Sequence, residues 1–126
     1  MDEMYDNLIT YEIKLYNKVE NNFKKNLSKS NIKFSCILEI LIYILQNVET
    51  TNNKFTDFEK KNISINVLRN LITDYDTRID NINKVNDFIT FHLSYIIDLI
   101  NMLDDKRIII KEETNCINYI FKILNK

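Results

Sequence analysis

The chain has 126 residues, a formal net charge of −1 and a 45% apolar share, enough for one domain with a single core and no disulfide or metal staple. Near-neutrality argues against a dedicated nucleic-acid binder, whose electrostatic footprint is a basic excess. Gly, Pro, Ala and Trp are all absent, which excludes the phosphate-cradling loops that need glycine for close backbone approach.

The missing Gly, Pro and Ala have codons opening with two G or C bases, whereas the abundant Ile, Asn, Lys, Tyr and Phe have A/T-rich codons. The residue set therefore points to an A/T-rich genome, as in certain protists, some bacteria and many large DNA viruses.

Without Gly or Pro as punctuation, element ends must be read from caps and from loss of periodicity. Residues 4–27 read as a first helix. Ile9, Ile13, Tyr16, Val19, Phe23 and Leu27 form its inner stripe, and Lys14, Lys18 and Lys25 lie opposite. Ser30 is the expected N-cap of the next helix. That helix, 34–48 (FSCILEILIYILQNV), is apolar round most of its circumference, with Ser35, Glu39 and Gln46 as its polar strip. Such a helix is a buried one, so 34–48 is the expected central post of the bundle.

A polar stretch follows, and then Thr56-Asp57-Phe58-Glu59, which has the spacing of a capping box. The third helix runs to about Tyr75, with Phe58, Ile65, Leu68, Leu71, Ile72 and Tyr75 expected inward. The fourth, 84–103, buries Val85, Phe88, Ile89, His92, Leu93, Ile96, Leu99, Ile100 and Leu103, and is expected to pack against the central post. Ile108 to Ile110 reads either as a short extended segment or as the lead-in to a last helix. That helix is capped by Thr114, with Cys116, Ile117, Ile120, Phe121 and Leu124 on its inner face.

The chemistry-bearing residues are few. His92 is the only histidine and falls on an apolar face with no acid three or four residues away, which reads as a core or interface residue rather than a base. Cys36 and Cys116 sit far apart in apolar contexts, as buried free thiols do. With one histidine they match no compact zinc spacing. Asp74, Asp76 and Asp80 begin a calcium-loop pattern, but the turn glycine and closing glutamate are missing. Lys14, Lys18, Lys25 and Lys29 make the N-terminal third locally basic. They are either a solvated helix face or contacts for an acidic partner, whether protein, lipid surface or nucleic acid. Tyr5, Tyr11 and Tyr43 lie off the main stripes, where they can mark a partner surface.

Met1-Asp2-Glu3 opens no signal peptide, and Asp2 breaks the myristoylation pattern. The run 34–48 is shorter than the roughly 20 apolar residues a membrane span needs and carries Glu39. The expected location is a virion or host-cell cytoplasm, neither secreted nor transmembrane.

Glu59-Lys60-Lys61 opening one amphipathic helix, Ile96-Ile97-Asp98-x-Ile100 in the next and the tail Asn115-Cys116 resemble small helical proteins of large nucleocytoplasmic DNA viruses, the mimivirus and phycodnavirus relatives. The resemblance covers the second half well and the first loosely. It implies a viral origin, and no activity or site comes with it. One very apolar helix among amphipathic ones is also similar in architecture to viral apoptosis-regulator-like proteins, which seat a partner helix in a surface groove. Their Gly- and Trp-containing signature is absent here.

The sequence thus predicts one all-α domain, 1–126, of about five helices around 34–48. The expected function is non-enzymatic: a virion-associated or assembly component working by contact with a protein partner or its own copy. The alternative is a module that binds a host helix in a groove. No catalytic, cofactor or metal residue is assigned.

Overall fold

A computed structural model describes residues 2–50 and 55–104, with side-chain surroundings for 7–50 and 55–101. Among these residues the chain is all-α: α1 (Asp2–Asn22), α2 (Lys24–Leu27), α3 (Phe34–Glu49), α4 (Asp57–Asp74), α5 (Ile82–Phe91) and α6 (Leu93–Asp104), with one 3₁₀ turn, Asp76–Arg78. The four helices expected over this span become six because two are interrupted, at Phe23 and at His92. The expected features at 108–124 lie outside the described residues.

Helix α3 matches its sequence pattern. Ile37, Leu38, Ile40, Leu41, Ile44, Leu45 and Val48 are all buried, each stabilising the fold by roughly 1.5–3 kcal/mol relative to an exposed position. Ser35, Glu39 and Gln46 are exposed. The cap differs: Lys33, not Ser30, is the N-cap, and it makes no side-chain bond to the helix. Entry is set instead by the preceding residue. Ile32 is buried and pairs with the segment after α4, its N–H donating to the Arg78 carbonyl at 2.7 Å and its carbonyl accepting from Asp80 N–H at 2.8 Å.

Helix α4 begins with the capping box, complete in both directions. Glu59 N–H donates to Thr56 Oγ1 at 3.1 Å, and Thr56 N–H donates to Glu59 Oε1 at 2.8 Å. Thr56→Ala should lower stability by about 1 kcal/mol in a denaturant titration, since it orphans the amide that Thr56 satisfies.

The inner face of α4 is Ile63, Ser64, Val67, Leu68, Leu71 and Ile72, an arc of about half the circumference. The width follows from its neighbours, because α4 packs against α1, α3 and α6. Of the last helices, α5 meets the post 34–48 through the edge-to-face pair Phe34–Phe88, and α6 packs against α5 and α4. Phe58, expected inside, is 73% exposed, and the buried aromatic is Phe55, against Tyr11 at 5.3 Å. Ser64 is buried with its hydroxyl donating to the Lys60 carbonyl one turn back.

The expected continuous helix 84–103 is interrupted at His92. Val85, Phe88 and Ile89 point inward from α5, and Leu93, Ile96, Ile97, Leu99 and Ile100 from α6. Most of the expected face is therefore inside, joined by Ile97. His92 is the exception: it stands in the break, off helical geometry at φ −123° and ψ −26°, and is exposed. Before α5, Asn81 adopts left-handed geometry at φ 53°. Asparagine is the residue best suited to that conformation when glycine is absent.

Cross-helix contacts fix the directions. Glu12 meets Asn66, Tyr16 meets Asp74 and Glu20 meets Tyr75, so α1 and α4 run parallel. Lys18 meets Asn47 and Phe23 meets Tyr43, so α1 and α3 run antiparallel. One contiguous core links Leu15 on α1 to Ile100 on α6.

Candidate interaction groove

Helix α1 carries more apolar residues than one stripe can hold. Leu8, Tyr11, Leu15 and Val19 recur at helical spacing on one arc, and Ile9, Ile13 and Tyr16 on another about 100° away. The bundle buries the first arc: Leu15 and Val19 are in the core, with Leu8 and Tyr11 packed against it. Of the inner stripe expected from the sequence, Val19 and Leu27 are buried and Tyr16 and Phe23 pack against the core, while Ile9 and Ile13 depart from it. Ile9 is 39% and Ile13 56% exposed, because the helix is turned toward α3 and α4.

The displaced arc forms one wall of an open groove of about 420 Å³ between α1 and α4, lined by Ile9, Glu12, Ile13, Tyr16, Val67, Asn70, Thr73 and Asp74. The lining residues run over eight positions on each helix, Ile9 to Tyr16 and Val67 to Asp74, roughly 10 Å along the axis. Both ends are held by hydrogen bonds across the helices. Asn66 Nδ2 donates to Glu12 Oε1 at 3.1 Å, and the Tyr16 hydroxyl donates to the Asp74 carboxylate. Burial, the bond to Asp74 and the nearby charge of Glu20 push the Tyr16 hydroxyl well above the usual tyrosine range. One turn on, the Tyr75 hydroxyl donates to Glu20 Oε2 at 2.6 Å, and that bond, with burial, raises Tyr75 as well.

A smaller cavity of about 270 Å³ lies where α1 ends, lined among others by Glu20, Lys24, Leu27, Tyr75 and Arg78. It is partly closed by Arg78, whose guanidinium donates to the Leu27 carbonyl at 3.2 Å.

The four lysines singled out in the sequence are not gathered on one element. Lys14 and Lys18 are exposed on α1, Lys25 on α2 and Lys29 in the turn beyond it. Lys18 is engaged within the fold, donating to Asn47 Oδ1 on α3 at 2.7 Å. None of the four lines the groove.

His92 is exposed at the α5–α6 break, flanked by exposed Phe91 and near exposed Tyr95; the core placement expected for it is corrected by the break, where it leaves helical geometry. Cys36 is a free thiol and half-buried rather than buried. Burial and then Glu39 push its thiol up, with Lys29 acting the other way. Cys116 lies outside the described residues. Among the described residues, no three His, Cys, Asp or Glu side chains gather as metal ligands, and no helix is long and apolar enough to cross a membrane.

The groove went unseen in the sequence because periodicity reports an apolar arc without saying which part of it the core takes. Its signal was present all the same: two apolar stripes on one helix. Compared with protein-family models, curated proteins and solved structures, the chain matches none.

Proposed function

We propose that this chain acts without bond chemistry, as an interaction module that seats the apolar face of a partner helix between α1 and α4. The observation that carries the reading is the exposure of Ile9 and Ile13 as one wall of an open groove whose other wall is α4. An amphipathic helix presenting apolar anchors at i, i+3 or i+4 and i+7 spans two turns, the same roughly 10 Å over which the groove is lined. The setting we propose is a large DNA virus, with the module in virion assembly or host contact. Its supports are the A/T-rich residue set and the resemblance carried by Glu59-Lys60-Lys61 and Ile96-Ile97-Asp98.

Selection of binders to the full chain from a helical peptide library tests the groove. Enriched peptides should carry that apolar spacing and lose at least about tenfold in affinity with Ile13→Asn, a difference of about 1.4 kcal/mol. Ile13 is already exposed, so the substitution leaves folding nearly unchanged. Phe91→Ala and Tyr95→Ala, which alter the exposed aromatics of α5 and α6, should leave binding intact. Binders that respond to Phe91 or Tyr95 and ignore Ile13 would refute the reading.

A further inference from the structure

Taking the groove as the docking surface, we infer that its occupant is a cationic amphipathic helix from another protein. Among the described residues two carboxylates line the groove, Glu12 from α1 and Asp74 from α4, and no cation does. Their hydrogen-bond partners within the fold are the neutral Asn66 amide and Tyr16 hydroxyl. Among the described residues the ion pairs are Lys33–Asp80 and Lys61–Asp98, and neither involves a groove carboxylate. The nearest cations in sequence, Lys14 to Glu12 and Arg78 to Asp74, stand outside the lining, and Arg78 donates to the Leu27 carbonyl.

Glu20 stands eight residues beyond Glu12, about 80° further round α1; it accepts from the Tyr75 hydroxyl and lines the smaller cavity with Lys24 and Arg78, so the acidic edge of the groove is Glu12 and Asp74. Ile9, Ile13 and Val67 thus line an apolar groove edged by one carboxylate from each helix. The complementary ligand is a helix whose aliphatic stripe is flanked by Lys or Arg. Such complementarity sets partner choice and speeds encounter.

A second copy of this chain fits the face poorly. Packed groove to groove about a two-fold axis, two copies would set carboxylates against carboxylates.

The test uses the full chain and three labelled peptides in fluorescence anisotropy. One is a Leu/Lys helix with leucines at i, i+3, i+4 and i+7, the second replaces each Lys by Glu, and the third scrambles the first at constant composition. The cationic amphipathic peptide should bind at least about tenfold tighter than either of the others. Its affinity should fall several-fold with Glu12→Gln/Asp74→Asn, fall with added salt, and be unmoved by Glu49→Gln, which removes one carboxylate elsewhere. Equal binding of the Glu peptide, still dependent on Ile13, would overturn the cationic partner and leave the groove standing. Binding of neither peptide in an Ile13-dependent way would remove both. A dimer that Ile13→Asn dissociates in sedimentation would place a second copy in the groove and overturn the proposal.

Discussion

Leu41→Ala should lower the unfolding free energy by about 2–5 kcal/mol, a large part of the stability of a domain this size, while Phe58→Ala should change it by less than about 0.5 kcal/mol. Both residues are large and apolar, and both fall on stripes that sequence periodicity places inside. They differ in surroundings: Leu41 has no exposed surface, and Phe58 is 73% exposed. Leu41 sits on α3 among Ile37, Leu38, Ile44 and Leu45, all buried. Truncation there removes transfer free energy and leaves a cavity that rigid helical neighbours cannot collapse. Phe58 stands in the first turn of α4 on the side away from the core, where alanine loses little packing. Urea titrations of the two variants measure the difference as a shift in midpoint at constant slope. A loss at Phe58 comparable to that at Leu41 would mean that α4 is turned the other way, which would also displace Val67 and Asp74 from the groove.

The contrast shows where sequence reading succeeds. Helix α3 was legible to the residue because its aliphatic side chains gather in one arc opposite Ser35, Glu39 and Gln46, and the core takes that arc. The Thr56–Glu59 capping box was legible because its partners are three residues apart and need nothing from the rest of the fold. The one-sided helices were legible only as helices. Rotation of α1 by about one residue step moved Leu15 in and Ile13 out, and a break at His92 moved Ile97 in and His92 out. Both shifts are decided by neighbours distant in sequence, to which an 11- to 18-residue window is blind.

The motifs behind the viral resemblance turn out to meet each other. Glu59 closes the capping box, and Lys61 reaches across to α6, where Nζ contacts Asp98 Oδ1 at 2.9 Å and Oδ2 at 3.1 Å. Ile96 and Ile97, beside that Asp98, are in the core. Glu59-Lys60-Lys61 and Ile96-Ile97-Asp98 are thus two sides of the α4–α6 contact, and they account for packing rather than for a site. The residues that make the groove carry no such motif. Glu12, Ile13 and Asp74 acquire a shared role only because α1 and α4 run parallel, with Glu12 beside Asn66 and Tyr16 beside Asp74.

That pairing of α1 with α4 should fail at high pH. Three side-chain hydrogen bonds join the two helices and their ends, and in each the acceptor is a carboxylate: Asn66 to Glu12, Tyr16 to Asp74 and Tyr75 to Glu20. The two tyrosines must keep their protons to donate. For Tyr16, burial, the bond to Asp74 and the charge of Glu20 hold the hydroxyl above the ordinary value near 10; for Tyr75 the bond to Glu20 comes first, then burial, with Arg78 opposing. In the unfolded chain both titrate near 10. Between the unfolded and folded values the native state binds more protons than the unfolded one, so stability falls as pH rises. The contribution of each tyrosine is complete below about pH 10 and is lost as pH climbs through its folded value. Ionised, each would set a phenolate against a carboxylate where α1 meets α4, pushing the helices apart and dismantling the groove they form. The double variant Tyr16→Phe/Tyr75→Phe has no such proton to lose. It should be somewhat less stable at neutral pH, by up to about 1 kcal/mol per lost hydrogen bond, yet hold its helical circular dichroism to a higher pH than the parent chain. Lysine deprotonation acts on parent and variant alike and cancels in the comparison. Following tyrosinate absorbance beside the dichroism checks the cause: in the parent, part of the tyrosinate signal should appear together with helix loss and not before it. Identical alkaline midpoints for parent and variant would show that these two hydroxyls do not hold α1 in place.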